Sequence, residues 1–213
     1  MKKIFFAILV SVFIIGTAGS AQAIVMWPDS GGAEPHSAWA AAVGSFTSVD
    51  LTGIPEYSTI AAGTPLTLGY GKTLSADIDL KRRLVGASWL TWSHGNSPEI
   101  LWTNGASSVT GTFNSPVSAF GLEVEPNPFS VYDITLTLSG GSTLTQSVSG
   151  DAGAKFFGWT DGSVTSMTLS GVDMAFGRMV IADAGQVVPE PATLSLLGLG
   201  LVGLFGFKKR FGS

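Results

Sequence analysis

Glu123 and Glu125 have the residue type and spacing that come closest to a catalytic arrangement in this chain. They stand two positions apart in a predicted β-strand, so both carboxylates face the same side of it, about 7 Å apart. Carboxylates paired at such a separation serve as acid and base in glycosidases. The alternative is a solvent-facing pair at the strand end before Pro126. We favour this alternative, because no further acids or cleft aromatics are grouped with the pair.

The remaining nucleophiles and bases do not form a catalytic set. His94 lies in a predicted turn and His36 stands alone near the N-terminal end, without the paired spacing of metal ligands. No G-x-S-x-G element presents a serine, and the absence of cysteine excludes disulfides and thiol chemistry. We therefore expect no enzyme activity and no catalytic residue.

Asp50 and Asp183 are the candidate ligands for a structural Ca²⁺ ion, the one cofactor that the sequence leaves open. They lie near the first and last predicted strands, 46–51 and Met174–Ala182. Those strands are neighbours in jelly-roll carbohydrate-binding modules, and Ca²⁺ takes oxygen ligands of this kind. No D-x-D-x-D-G loop supports the site.

Trp92 and Trp102 are the candidates for sugar binding, since exposed indole rings can stack on sugars. Tryptophans in a cysteine-free β-domain also build cores, which is the alternative for this set. If residues 84–92 form a strand, Trp89 and Trp92 face opposite sides of it. At least one of the two is then buried.

The C-terminal end combines three features in a fixed order. Pro189, Glu190 and Pro191 are followed by an uncharged run over residues 193–207 and then by Lys208, Lys209 and Arg210. The run has 15 residues, somewhat fewer than the ~20 that span a bilayer comfortably. We predict a transmembrane helix over 193–207, with the basic residues as a cytoplasmic stop. A plain tail anchor and a buried core helix are the alternatives.

The N-terminal end has the layout of a secretory signal peptide over residues 1–23. A basic start is followed by an apolar stretch and by Ala21-Gln22-Ala23, a small-residue cleavage site. The predicted partners of this segment are the Sec translocon and signal peptidase. An uncleaved anchor is the alternative.

Residues 24–183 between these signals are predicted to form one all-β domain, an antiparallel β-sandwich of jelly-roll-like type. A five-residue linker, 184–188, joins it to the sorting segment 189–213. Val131–Leu138 alternates apolar and polar residues, and Gly140-Gly141 turns it into Thr143–Ser149. Further strands are predicted at 72–80, 84–92, 99–103, 117–124, 163–169 and Met174–Ala182, with one helix at Ser37–Val43.

The charge balance argues against nucleic acid as a partner. Residues 24–188 hold six basic and fourteen acidic side chains, a formal net charge of −8. The length, about 165 residues, suffices for one domain with its own core.

The C-terminal segment 189–213 resembles the PEP-CTERM sorting signal of Gram-negative bacteria. The resemblance implies that an exosortase, a membrane cysteine enzyme, recognises Pro189-Glu190-Pro191 and that the catalytic residues belong to that enzyme. Residues 89–95, 101–105, 119–129 and 153–159 resemble a recurrent passenger domain of PEP-CTERM proteins, over about residues 45–183. This second resemblance implies a β-sandwich and no particular chemistry.

These observations predict a protein exported across the inner membrane as a transient single-pass precursor and then placed at the cell surface, in the envelope or in the extracellular matrix. We expect a non-enzymatic structural or adhesive component linked to exopolysaccharide or biofilm. The alternative is a carbohydrate-binding module, and a secreted hydrolase is a further candidate. A related tail on some ice-binding proteins suggests ice binding, which requires a flat, regular Thr face. Thr135 and Thr137 do not repeat over enough strands in the sequence to predict such a face.

Overall fold

A computed structural model describes residues 23–182 except 33 and 35, and most of their regular structure is β-strand. The predicted signal peptide up to residue 22, Asp183, the linker and the sorting segment lie outside the described residues. The elements in chain order are β1 Val25–Pro28, α1 Ser37–Val43, β2 Thr47–Ser48, β3 Thr59–Ile60, β4 Pro65–Gly69, β5 Lys72–Ala76, β6 Leu80–Leu84, β7 Glu99–Trp102, β8 Ser108–Val117, β9 Ala119–Pro126, β10 Val131–Leu138, β11 Thr143–Ser149, β12 Lys155–Thr160, β13 Val164–Ser170 and β14 Met174–Ala182. A short 3-10 turn occupies Ser93–Gly95.

The strands form two antiparallel sheets that face each other. The large sheet has the order β1-β12-β9-β14-β7-β6-β3, with β2 also paired to β14, and the small sheet has the order β11-β10-β13-β8-β5-β4. The predicted fold class, a single antiparallel β-sandwich, is therefore confirmed.

Alternating apolar residues from both sheets build the core between them. Ile134 and Leu136 of β10 project from the small sheet, while Leu122 of β9, Phe157 and Trp159 project from the large sheet, and all five are fully buried. Because successive side chains of a strand point to opposite faces, this inward set leaves the intervening residues to the two outer faces.

The outer face of the large sheet is covered along β9, unlike that of a two-layer sandwich with solvent on both sides. All eight residues of β9 are buried. At one end of the face, Trp39 of α1 packs against Phe156 and Val180. At the other end, Trp89 and Trp92 of the segment 85–98 pack on it. This third layer gives the outward residues of β9 an interior environment.

The outer face of the small sheet carries rows of hydroxyl side chains in register. Thr143, Thr137, Thr168 and Thr110 follow one another across four neighbouring strands. The hydroxyls of Thr110 and Thr168 lie 3.0 Å apart. The expectation that threonines do not repeat across enough strands is therefore wrong, since the row is built from residues far apart in sequence.

The elements with clear local patterns agree with their predictions. Strands Val131–Leu138, Thr143–Ser149 and Met174–Ala182 and helix Ser37–Val43 have the predicted bounds. The prediction of one strand over 84–92 is wrong, because β6 ends at Leu84 and a turn follows. The predicted strands 72–80 and 117–124 are each divided between two elements, at residues 77–79 and at residue 118.

Within residues 23–182 and their two-residue gap, no helix is long and apolar enough to cross a membrane. The predicted transmembrane helix 193–207 lies outside these residues and stays a prediction.

Candidate functional site

Glu123 and Glu125 lie on the covered outer face of the large sheet. Strand β9 alternates so that Phe120, Leu122 and Val124 enter the core, which directs both carboxylates to the opposite side. Glu123 is 0% exposed and Glu125 is 1% exposed. The interpretation of a solvent-facing pair is therefore wrong, because the segment 85–98 covers this end of the strand.

Indole N–H groups are hydrogen-bond partners of both carboxylates. Trp92 Nε1 donates to Glu123 Oε2 at 2.7 Å, and Trp89 Nε1 donates to Glu125 Oε1 at 3.2 Å. Thr91 Oγ1 also donates to Glu125 Oε1, at 2.8 Å. Buried carboxylates without such donors would be strongly destabilising, so these bonds make the burial tolerable.

A turn after β6 brings Trp89 and Trp92 to the same side, the outer face of the large sheet. The Leu84 carbonyl accepts the backbone N–H groups of residues 87, 88 and 89, and Gly86 adopts a φ of +81°. A residue with a side chain is strained in that conformation, which explains the glycine. The expectation that Trp89 and Trp92 face opposite sides is wrong, because the segment that carries them is not a strand.

Arg178 is the residue of this site that sequence reasoning missed. Its guanidinium forms ion pairs with Glu123 Oε1 and with Glu34 Oε2, each at 2.9 Å. The residue has a φ of +43° at a register shift in β14 between Gly177 and Val180. An arginine that follows glycine inside an otherwise apolar strand is the available signal for such a bulge.

Burial dominates the electrostatics of both carboxylates. It raises the pKa of Glu123 from 4.5 to about 7, although Arg178 and the Trp92 N–H act in the opposite direction. Burial also raises the pKa of Glu125, against the hydrogen bonds from Thr91 and Trp89. The pKa of His36, beside Arg178, is lowered by burial and by the positive charge of that arginine. The site therefore holds titratable groups whose charged forms are disfavoured by their surroundings.

The two candidate sugar-binding tryptophans have their rings occupied by protein. Trp92 is 3% exposed and offers no ring face to solvent. Trp102 is half-buried, its N–H is bonded to Asp173 Oδ1 at 2.7 Å, and the Lys81 ammonium and the Arg83 guanidinium lie over its ring. Their assignment as ligand residues stays a prediction.

Of the two candidate calcium ligands, Asp50 lies in the described part of the chain. Asp50 accepts hydrogen bonds from the Thr52 N–H and hydroxyl, at 2.8 and 2.7 Å, and these lower the pKa of its carboxyl. Asp183 lies outside the described residues. Among residues 23–182 that the structure describes, no group of three or more His, Asp or Glu side chains is placed to hold a metal ion.

Two surface pockets flank the acidic pair. One, of about 230 Å³, has the exposed side chains of Leu90 and Phe129 beside Trp89, Thr91 and Glu125. The other, of about 200 Å³, has His36, Glu99 and Arg178 among its lining residues. The first combines an apolar rim with polar groups.

The comparison with known families bears on the C-terminal segment. The PEP-CTERM protein-sorting motif matches residues 187–210. The chain therefore carries a PEP-CTERM protein-sorting motif at its C-terminal end. The predicted motif Pro189, Glu190 and Pro191 and the basic residues 208–210 fall inside the matched range. The motif implies export that depends on an exosortase.

Two further comparisons concern the whole chain. No curated protein matches it. Among solved structures, a mutant of the family 29 carbohydrate binding module CBM29-2 is similar over 68% of this chain and 99% of its own. The sequence identity is 12% and the TM-score is 0.24. A similarity of this degree carries no argument about ligand or activity.

Proposed function

We propose that this protein is a non-enzymatic component of the cell envelope or extracellular matrix, delivered by exosortase processing and associated with exopolysaccharide or biofilm. The sorting motif at residues 187–210 is the observation that carries the proposal. It directs the β-sandwich to the cell surface, where an adhesive or structural role requires a stable domain and no catalytic cleft.

The geometry of the acidic pair supports the non-enzymatic part of the proposal. A general acid or base must come within hydrogen-bond reach of its substrate. Glu123 and Glu125 are instead sealed beneath the segment 85–98, and their oxygens accept bonds from Trp92, Trp89 and Thr91. The raised pKa values thus arise in a closed structural cluster.

Substitution of the sorting motif tests the delivery. A P189A/E190A/P191A variant, produced with an exosortase, is expected to keep its C-terminal tail and to remain in the membrane fraction. The chain without these substitutions is expected to lose the tail. Lys155→Ala, in the sandwich, is the control and should behave like the unaltered chain. Equal processing of the triple variant would contradict the proposal.

A carbohydrate-binding module is the second candidate, and the pocket beside Glu125 favours it. Leu90 is 75% exposed and Phe129 is 60% exposed, and both lie on the rim of this pocket. Large apolar side chains exposed next to hydrogen-bonding groups suit the C–H faces and hydroxyls of a sugar.

A glycan array with the full chain in nonionic detergent tests this candidate. Binding of neutral glycans that is lost in Phe129→Ala and Leu90→Ala supports it. Tyr70→Ala is the matched control, because Tyr70 is 46% exposed and lines a different pocket. Glycan binding that is unchanged in all three variants would contradict a sugar site at this pocket.

A further inference from the structure

Half of the basic side chains in residues 24–188 are consecutive, at Lys81, Arg82 and Arg83. Strand β6 divides them between its two faces. Arg82 is 7% exposed and pairs with Glu99, with 3.5 Å between Nη2 and Oε1. Lys81 and Arg83, two positions apart, lie on the outer face of the large sheet, where Lys81 is opposite Trp102 of β7. An acidic domain thus concentrates two cations at one place on its surface.

Aromatic rings hold both cations in position. The Arg83 guanidinium carbon lies 4.8 Å from the Tyr57 ring centroid and 5.1 Å from the Trp102 ring centroid, so it lies over both rings. Lys81 Nζ lies 5.7 Å from the Trp102 centroid. Trp102 is fixed in turn by its hydrogen bond to Asp173 and by contact with Trp89, at 6.4 Å between ring centroids. The cations are therefore presented by a rigid support.

The two cations lack a counter-ion in the part of the chain that the structure describes. The ion pairs found there involve His36, Arg82 and Arg178, and none involves Lys81 or Arg83. Arg83 Nη1 is buried and has no hydrogen-bond partner among the described residues. Because this donor is buried, an anionic acceptor from solvent meets the other N–H groups of the guanidinium, whose charge no carboxylate of the described residues balances.

We propose that Tyr57, Lys81, Arg83 and Trp102 form a binding site for a carboxylate-bearing polysaccharide. The planar guanidinium of Arg83 offers paired donors that match a carboxylate, and Lys81 supplies a second positive charge. Tyr57, 63% exposed, supplies ring surface for the C–H groups of a sugar. The proposal adds a ligand class to the proposed matrix role and depends on that role only for contact with the polymer.

A polysaccharide fits these features better than other polyanions do. Two cations on a domain with a net charge of −8 are too few for stable nucleic-acid binding. An acidic peptide would use the charges but has no need of an exposed aromatic ring beside them. A polymer that repeats its carboxylate along the chain gains avidity from many weak contacts with many protein copies.

Affinity electrophoresis of the full chain in nonionic detergent tests the proposal, with polygalacturonate in the gel as the probe. Retardation is expected at low salt and is expected to decrease at high salt, because exposed charges are screened. Arg83→Ala and Lys81→Ala should each weaken binding by roughly tenfold. Arg83→Lys should weaken binding as well, since lysine keeps the positive charge but lacks the paired planar donors of the guanidinium. Tyr57→Ala, at a largely exposed residue, tests the ring without disturbing the core.

Three controls make the result decisive. Lys155→Ala removes one charge from a different strand and should leave the retardation unchanged. Pullulan, a neutral polysaccharide, and polyglutamate, an acidic peptide, should cause little retardation. The proposal is overturned if polygalacturonate does not retard the chain, if Lys155→Ala weakens binding as much as Lys81→Ala, or if polyglutamate binds equally well. Because sorting is not measured here, failure of this site is distinguishable from failure of the proposed delivery.

Discussion

Three indole N–H groups on the outer face of the large sheet each donate to a carboxylate that is distant in the sequence. Trp89 pairs with Glu125, Trp92 pairs with Glu123 and Trp102 pairs with Asp173. The first two bonds join the covering segment 85–98 to β9, and the third joins β7 to the bend before β14. Loss of one donor leaves a carboxyl oxygen without that partner, which makes these bonds measurable one at a time.

Removal of one indole N–H should destabilise the sandwich. Trp92→Phe leaves the fully buried Glu123 without its 2.7 Å donor, and the expected loss in the free energy of unfolding is about 1–3 kcal/mol. Urea denaturation measures it. Trp27→Phe is the control, because Trp27 donates to the neutral hydroxyl of Thr160. A larger loss in the control than in Trp92→Phe would show that the carboxylate bond is unimportant.

The raised pKa of Glu123 predicts a stability that depends on pH. The ordinary pKa of a glutamate side chain is 4.5, and the pKa of Glu123 in the folded protein is about 7. The folded state therefore binds the proton more tightly, and the contribution to stability is complete below pH 4.5 and is lost as the pH rises through 7. This contribution of Glu123 to the free energy of unfolding is about 3 kcal/mol at most.

Glu123→Gln isolates this contribution, since glutamine does not titrate. Between pH 5 and pH 8, urea denaturation should show a smaller loss of stability in the variant than in the unaltered protein. Glu34→Gln serves as the control. Glu34 is the other carboxylate paired with Arg178, and its side chain is 62% exposed. The same pH dependence in Glu123→Gln and in the unaltered protein would rule out Glu123 as the titrating group.

At the scale of elements, the hydroxyl rows of the small sheet provide a test of the ice-binding alternative. The rows run across β11, β10, β13 and β8. Neighbouring strands twist by about 20–25°, so the side chains rotate by roughly 60–75° over the four strands. We therefore expect no thermal hysteresis and no inhibition of ice recrystallisation. Thermal hysteresis or inhibition of ice recrystallisation that is lost in Thr137→Lys would contradict this expectation.

Sequence patterns predict those elements whose structure is determined locally. Val131–Leu138 and Thr143–Ser149 follow from alternation and from the Gly140-Gly141 turn, and both have the predicted bounds. Strand β8 is missed because Gly111 and Asn114 look like turn residues. Gly111 is accommodated there by pairing with β5 and β13, and the Asn114 side chain accepts from the Thr73 N–H and donates to the Gly71 carbonyl. No local pattern contains these contacts.

The candidate site depends on contacts that the sequence cannot show. The i, i+2 spacing correctly places Glu123 and Glu125 on one side of a strand. Whether that side meets solvent depends on the turn after Leu84, which brings Trp89 and Trp92 onto it. The partners are 31 to 36 positions apart. The ion pair of Arg178 likewise requires the bulge in β14.

At the scale of the whole molecule, the two parts of the chain have separate tasks. The described sandwich has a closed core and a covered acidic cluster, and the PEP-CTERM motif at residues 187–210 is the sorting signal. Because Glu123 and Glu125 are buried, we expect any ligand of the domain to be bound by its exposed surfaces.

The mass of the mature C-terminus, measured with and without an exosortase in the same cells, tests this account most directly. With the enzyme present, we predict a surface-located protein that has lost the segment containing residues 193–213. Without it, the tail should stay intact and the protein should remain in the membrane fraction. An intact tail on the protein from exosortase-containing cells would contradict the account.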